Sequence, residues 1–533
     1  MKIAIIGSGY VGTKAALFWS QSHSVVITTR KKERIKELLQ MGLTPLQHIP
    51  DDIESWLNLL PGLDAILLCM APDSIDQYTS CYLNTAKALI AALKQASTHP
   101  YILYTSSTSV YQDSNGSLID EASSLKNNSI LVETEQILQE VDATILRIGE
   151  IYGPGRIVSD RLKKTDALPG DGSSITNLSH IEDIIGFLNF ALKNRLKGIF
   201  NVCNDTHIDR KNFYKHLCDT CCIPEPTWDP SMPSSHSSNK IVSNEKIKTL
   251  GYKLIHPNYI YPLATAFSPC PNDTYLFHAW SHNLIKNSIP IYPVLQDVNT
   301  LNECATKALY PLTKLSFYAF GKVFNEYIML PTGSALGFGC GPKIISKTPF
   351  KENALSQKRI AIPGKLTTAH LLLELFLPEP KEKIFCTYDE IFSLIESGSV
   401  DCGIIIHEQR FIYEQAGFTE IIDLGALWEE QFHLPLPLGC IAVKRLLGKD
   451  LIDNLNQYLY ASILYAQENP AKSLSYILEH AQVKDPLIVQ KHIDLYVGKE
   501  TLKLSSDGLL AIHTLFSLAQ EKGLLAKSSL PLM

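Results

Sequence analysis

The chain reads as α/β throughout: a doubly wound parallel sheet over residues 1–258, then a second α/β domain over residues 263–533. Three observations predict this. In the first half, short β-branched runs alternate with amphipathic stretches, as in a parallel sheet covered by helices on both faces. The first run, Lys2–Ile6, passes straight into Gly7-Ser8-Gly9-Tyr10-Val11-Gly12 and a helical stretch, Thr13–Gln21. From Leu263 the strand–helix alternation resumes without a second glycine-rich loop of that kind.

Taken in order, the first strand, loop and helix form a dinucleotide-binding unit of Rossmann type. Gly7, Gly9 and Gly12 permit the tight turn and the close approach of backbone to a pyrophosphate. The second strand, Ser24–Thr29, ends in Arg30, where an acid would bind a ribose 2′-hydroxyl. Arg30 suits a 2′-phosphate instead, which favours NADP over NAD. The alternative, that Arg30 opens a solvated basic helix with Lys31, Lys32 and Arg34, stays open.

Three later segments extend the pattern: Tyr101–Tyr111 with its Ser106-Ser107-Thr108-Ser109 run, Leu146–Arg156, and Asn177–Asp183. With the glycine loop they resemble the extended short-chain dehydrogenase/epimerases over nearly all of residues 1–258. That resemblance implies an active-site serine strand, a turn into the substrate region and a substrate-side loop. It also implies a Tyr-x-x-x-Lys pair, in which the lysine lowers the tyrosine pKa for proton transfer. Here the pair is missing. Tyr10 and Lys14 have the spacing but sit in the glycine loop, and Ser129–Glu135, where the pair belongs, holds neither residue type. The half is therefore similar to atypical members of the family. It is expected to bind a nucleotide with altered or no redox activity; a reductase using another acid is the alternative.

Composition narrows the classes. At 533 residues the chain is too long for one core, and length suggests roughly three to four compact units. A net charge of −6 supplies no basic field, so nucleic acid is not an expected partner. No window nears the ~20 apolar residues of a membrane span. The 12 cysteines are scattered in apolar company, as in a cytoplasmic protein with reduced thiols. His216, Cys218, Cys221 and Cys222 lie close together, but no second pair follows at zinc-site spacing, so no metal is expected. The serine-rich stretch Ser231–Asn239 is expected to be a substrate-side loop, and the join between halves falls at about Pro257–Pro262.

In the second half, polar turns follow buried strands. An apolar strand ends in Ser268-Pro269-Cys270-Pro271-Asn272-Asp273-Thr274, where Asn272, Asp273 and Thr274 are capping residue types able to hold open a helix N-terminus for an anion. A second strand runs through Lys314-Leu315-Ser316, and Lys314 adds a charge or is solvated. A glycine-punctuated stretch, Ser334–Pro342, suits a crossing between lobes. A third strand ends before Thr367-Thr368-Ala369 and a long apolar helix. A fourth, Val400–Ile406, ends in His407-Glu408. If two lobes face each other, these turns converge on one crevice. His407 is then placed for proton abstraction near neutral pH, or is a structural histidine.

These segments, in this order, resemble the 1,4-dihydroxy-6-naphthoate synthases of the futalosine route to menaquinone. The match rests on Phe267–Thr274, Lys314–Phe317, Gly333–Pro342, Thr367–Ala369 and Ile405–Glu408. It implies a two-lobed fold like that of periplasmic solute-binding proteins, no cofactor in this half, and a lyase acting on cyclic dehypoxanthinyl futalosine. The proton acceptor falls on His407. Substrate contacts fall on Lys314, Leu315, Ser316, Thr367, Thr368 and Ala369, with Asn272, Asp273 and Thr274 at the first turn. His492–Val497 also fits, although Gly498 stands where an Asn is usual.

Three alternatives remain. One is a two-lobed solute-binding or sensing protein. Another is the neighbouring dehydratase of the same pathway, which should lack the Ser-Pro-Cys-Pro-Asn-Asp turn. The third is an NADP-dependent sugar-nucleotide epimerase or reductase working through the first half.

Overall fold

A computed structural model describes residues 1–164, 166–232, 238–286, 288–527 and 532–533. The central part of the serine-rich stretch, residues 233–237, lies outside the described residues. The chain divides into two compact units, Met1–Cys218 with Pro224–Tyr259, and Asp219–Ile223 with Ile260–Met533. That is fewer than length suggests, because the second unit builds two sheets into one body.

In the first unit, β1 (Lys2–Ile6), β2 (Ser24–Thr29), β3 (Pro45–Gln47), β4 (Ala65–Leu68), β5 (Tyr101–Ser107), β6 (Thr144–Ile148) and β7 (Gly198–Val202) form one sheet. Its order is β7-β6-β5-β4-β1-β2-β3, and every pairing is parallel. The order reverses at β1, so the crevice at its carboxyl end is the natural ligand site of a doubly wound sheet. Helix α1 spans Tyr10–Trp19, starting earlier than the expected Thr13 because Gly9 acts as the N-cap. Gly7 sits at φ +114°, and a Cβ on Gly12 would lie 1.9 Å from the Gly7 carbonyl oxygen. Glycine at 12 is therefore required by the packing of helix on strand. Helix α2 (Ile130–Gln139) follows β5, and its Glu135 is buried.

The second unit contains two mixed sheets. The first holds β8 (Leu263–Phe267), β9 (Ile291–Leu295), β10 (Leu312–Ser316), β11 (Tyr327–Met329), β12 (Ala335–Gly337) and the long β18 (Leu436–Lys444). Its path is β9-β8-β10-β18-β11, with β12 also on β18. The second holds β13 (Lys343–Ser346), β14 (Arg359–Ile362), β15 (Glu382–Phe385), β16 (Cys402–Ile405) and β17 (Thr419–Asp423), in the order β15-β14-β16-β13-β17.

The chain crosses between the sheets twice, from β12 to β13 and from β17 back to β18. The glycine-punctuated stretch supplies the first crossing, as expected. The crossings touch backbone to backbone: a Cβ on Gly341 would lie 2.3 Å from the Cα of Gly425. One hydrophobic cluster, including Leu315, Ile344, Ile360 and Leu372, draws on both sheets. Helices α3 (Pro271–Ser281), α4 (Thr368–Phe376), α5 (Lys449–Glu468) and α6 (Pro486–Tyr496) complete the parts needed for the site.

Candidate functional site

Four segments that span more than a hundred residues of sequence meet at one cavity in the second unit. Ser268, Asn272 and Asp273 come from the start of α3, Lys314–Ser316 from the end of β10, Thr367–Ala369 from the start of α4, and His407 from the turn after β16. The cavity between these walls has a volume of about 80 Å³. Thr274 does not line it; its buried hydroxyl donates to the Cys270 and Pro271 carbonyls at 3.0 and 3.3 Å.

The start of α3 departs from expectation. The sequence suggests an open helix N-terminus for a ligand anion, and no side chain caps α3, but its own first-turn Asp273 brings a carboxylate to the same cavity wall. Its Oδ2 accepts from the Ser268 amide at 3.2 Å and the Ser268 hydroxyl at 2.7 Å. Its Oδ1 accepts from Lys314 Nζ at 2.6 Å and Asn272 Nδ2 at 2.9 Å. Lys314 is accordingly buried and paired rather than solvated. Asn272 Oδ1 in turn bonds the His492 Nε2 at 3.0 Å, so α6 is tied to the same network.

The start of α4 is different. Thr367 caps the His370 amide at 3.2 Å, and the Thr368 hydroxyl donates to the Leu438 carbonyl at 2.7 Å. The first-turn amides of Thr368 and Ala369 have no partner within the helix, by helix geometry. They can receive a carboxylate. Ser316 stands close by, fixed by Asn302, which bonds both its amide and its hydroxyl at 3.0 Å.

His407 is held in the left-handed region at φ 56°. That conformation costs a non-glycine residue about 1–2 kcal/mol. The Tyr388 ring meets its imidazole edge-on at 5.0 Å, and the His492 ring stacks at 6.1 Å. Its Nε2 is buried without a hydrogen-bond partner. Burial pushes the imidazole down to about 4, with the Asp273 carboxylate opposing that and Lys314 reinforcing it. The ring is therefore neutral near pH 7 and keeps a lone pair for a proton.

The first unit has its own groove, lined among others by Gly7, Gly9, Arg30, Lys31 and Arg34, with a volume of about 250 Å³. Gly12 packs beneath it rather than lining it. No side chain caps α1, so its first-turn amides face a prospective anion unopposed. Arg30 is exposed, and Arg34 reaches the Ser8 carbonyl at 3.4 Å.

Where a catalytic Tyr-Lys pair would belong, Glu135 accepts from Arg147 Nη2 at 2.6 Å and from Arg147 Nε at 3.1 Å. The Ser106 hydroxyl donates to the same carboxylate. Both charged side chains are 1% exposed, and the guanidinium lies 4.7 Å from the Tyr111 ring.

The profile of a family described as menaquinone biosynthesis matches residues 263–521. The 1,4-dihydroxy-6-naphthoate synthase of Thermus thermophilus is 41% identical over 270 residues, covering 51% of this chain and 98% of that protein. The chain belongs to the menaquinone biosynthesis family. Protein YeeZ of Escherichia coli is 27% identical over 270 residues, 48% of this chain and 97% of YeeZ. Among solved structures, protein AF1704 of Archaeoglobus fulgidus is 31% identical, with 49% of this chain and 98% of that chain covered, at a TM-score of 0.47.

Within this menaquinone-family unit, sequence reasoning identified His407 and most of the cavity wall. It missed Tyr388, Asn302 and the depth at which His492 is buried. Tyr388 follows an exposed strand end inside the capping box Thr387–Glu390, a motif that marks a helix start and not a site. His492 offers a signal only in hindsight, as a polar residue on the buried face of an amphipathic helix.

Proposed function

We propose that residues 263–533 convert cyclic dehypoxanthinyl futalosine to 1,4-dihydroxy-6-naphthoate as a carbon–carbon lyase, with His407 as general base. One observation carries this. A neutral histidine with an unpartnered ring nitrogen lines the same cavity as the start of α4, where the Thr367 cap takes the His370 amide and helix geometry leaves those of Thr368 and Ala369. A substrate carboxylate at the Thr368 and Ala369 amides presents its spiro-joined ring system to His407. Proton removal then expels the sugar-derived fragment as the second ring aromatises. The protein's contribution is orientation and one placed base.

The start of α3 has a different part. Its Asp273–Lys314 pair shapes the wall and sets the charge near His407, and it does not hold the substrate carboxylate. The small-molecule substrate is the partner this account requires. The compartment it suits is the cytoplasm, where the chain's 12 cysteines stay reduced.

For the first unit we infer NADP binding without hydride chemistry. Arg30 and Lys31 at the groove rim support the 2′-phosphate, and the uncapped start of α1 supports the pyrophosphate. Once bound, the nicotinamide would be capable of hydride exchange, but Glu135 and Arg147 hold each other where a proton donor would work.

The test of the first proposal is His407→Asn. General-base removal should lower kcat by about 10²–10⁴-fold with substrate affinity changed only a few-fold, read by single-turnover kinetics and calorimetry. Turnover close to that of the unsubstituted chain would refute the assignment.

A further inference from the structure

Beside His407 lie two groups that the proposed reaction does not use. Cys270 is the residue before α3, and Glu408 follows His407 directly; each is only 2% exposed. The Cys270 thiol, a His407 ring nitrogen and a Glu408 carboxylate oxygen all lie within 4.8 Å of one another. Neither oxygen of Glu408 has a hydrogen-bond partner, and His407 Nε2 has none either. Among the described residues, no lysine or arginine forms an ion pair with Glu408.

A buried carboxylate without a partner is costly, and cores that keep one generally pair it or give it to a metal. Thiolate, imidazole and carboxylate together make the donor set of a borderline-soft divalent ion, whereas magnesium and calcium take oxygen. Three such protein ligands leave a fourth position free, as in zinc sites that admit an outside ligand. The Tyr388 hydroxyl, hydrogen-bonded to the Cys270 side chain, supplies an outer-shell donor to the sulfur.

We propose that Cys270, His407 and Glu408 form a binding site for a zinc-type divalent cation, and that its occupancy switches the lyase off. Binding releases the Cys270 thiol proton to solvent and forms bonds from the metal to Sγ, to an imidazole nitrogen and to a carboxylate oxygen. No electron transfer is involved. The metal takes the imidazole lone pair, so the ring cannot accept a substrate proton while the ion is held. The binding claim stands alone; the inhibition claim rests on His407 being the base.

The full chain, reduced and freed of metal with a chelator, is titrated with Co²⁺ in the absence of substrate. The expected result is a thiolate-to-cobalt charge-transfer band saturating at one equivalent, lost in Cys270→Ser and weakened at least tenfold in affinity in Glu408→Gln. No band in the unsubstituted chain, or a band unchanged in Cys270→Ser, overturns the site.

Should Cys270→Ser fail to fold, zinc-edge X-ray absorption on the unsubstituted chain decides the matter. One sulfur at about 2.3 Å with nitrogen and oxygen neighbours at about 2.0–2.2 Å is expected, and a shell without sulfur refutes it. In the activity arm, zinc lowers turnover of the unsubstituted chain at least tenfold and a chelator restores it. Undiminished turnover at saturating zinc overturns the switch. If no sample forms product even without metal, the reaction is refuted while the spectroscopic arm still reads the site.

Discussion

Two helix starts in this chain look alike in sequence and behave differently. Both α1 and α3 follow a buried strand through a polar or glycine turn, at the place where open α/β sheets bind anions. At α1 nothing caps the first turn, and a groove lined by Arg30 and Lys31 opens beside it. α3 likewise has no side-chain cap, but its first turn carries a carboxylate of its own, Asp273, which Lys314 pairs. An uncapped helix start is legible in sequence, but the charge its surroundings present is decided by residues that arrive from elsewhere, as Lys314 does at α3.

The two units also differ in how they use buried charge. In the second, His407 is left neutral and unpartnered beside a cavity. In the first, the corresponding region is closed by a mutually satisfied pair, Glu135 and Arg147. The largest expected effect comes from breaking that closure. Glu135→Leu alone strands a buried guanidinium and should destabilise the first unit by about 3–5 kcal/mol in urea unfolding, whereas Glu135→Leu with Arg147→Met should recover most of the loss. A single variant as stable as the parent would show that the pair is solvated.

Next is acid stability, which samples both units. Burial lowers His48 in the first and His278 in the second to about 4. Each is neutral when folded and protonates more readily unfolded. The stability each contributes is therefore complete above about pH 6.5 and is lost as pH falls toward 4, on the order of 3 kcal/mol per group. His48→Gln and His278→Gln should each flatten that decline in thermal melts; an unchanged slope would contradict the burial argument.

Much of this was legible in the sequence, and the reasons are physical. Local features survive in order: the glycine loop, the Pro-Cys-Pro-Asn-Asp turn and the Ile-rich strand ending at His407 each declare themselves within about ten residues. Lys314 did not, because its partner lies 41 residues away and a lysine at a strand end reads equally well as solvated. Asn302 carries no local pattern, and the patterns around Tyr388 and His492, a capping box and an amphipathic helix, say nothing of a place beside His407. The missing Tyr-Lys pair was visible as an absence, but its replacement was not, since Ser106, Glu135 and Arg147 meet only through tertiary packing.

Smaller effects sharpen the same comparison. Gly341→Ala forces a methyl into Gly425 at the paired crossings, and overpacking there should cost about 1–3 kcal/mol and slow any relative motion of the two sheets. An unaltered melting temperature and turnover would show that the crossings have slack. Arg30→Ser should weaken NADPH binding about tenfold, ~1.4 kcal/mol, with NADH little changed. Equal losses for both nucleotides would mean that Arg30 reads no 2′-phosphate.

The most direct test of the division of labour is one reaction followed by two signals. The purified full chain is given cyclic dehypoxanthinyl futalosine with NADPH, while naphthoate is followed by chromatography and the nicotinamide by its absorbance. The account predicts that naphthoate accumulates at the same rate with or without NADPH, which stays reduced throughout. No naphthoate, or NADPH consumed in step with its formation, would contradict it.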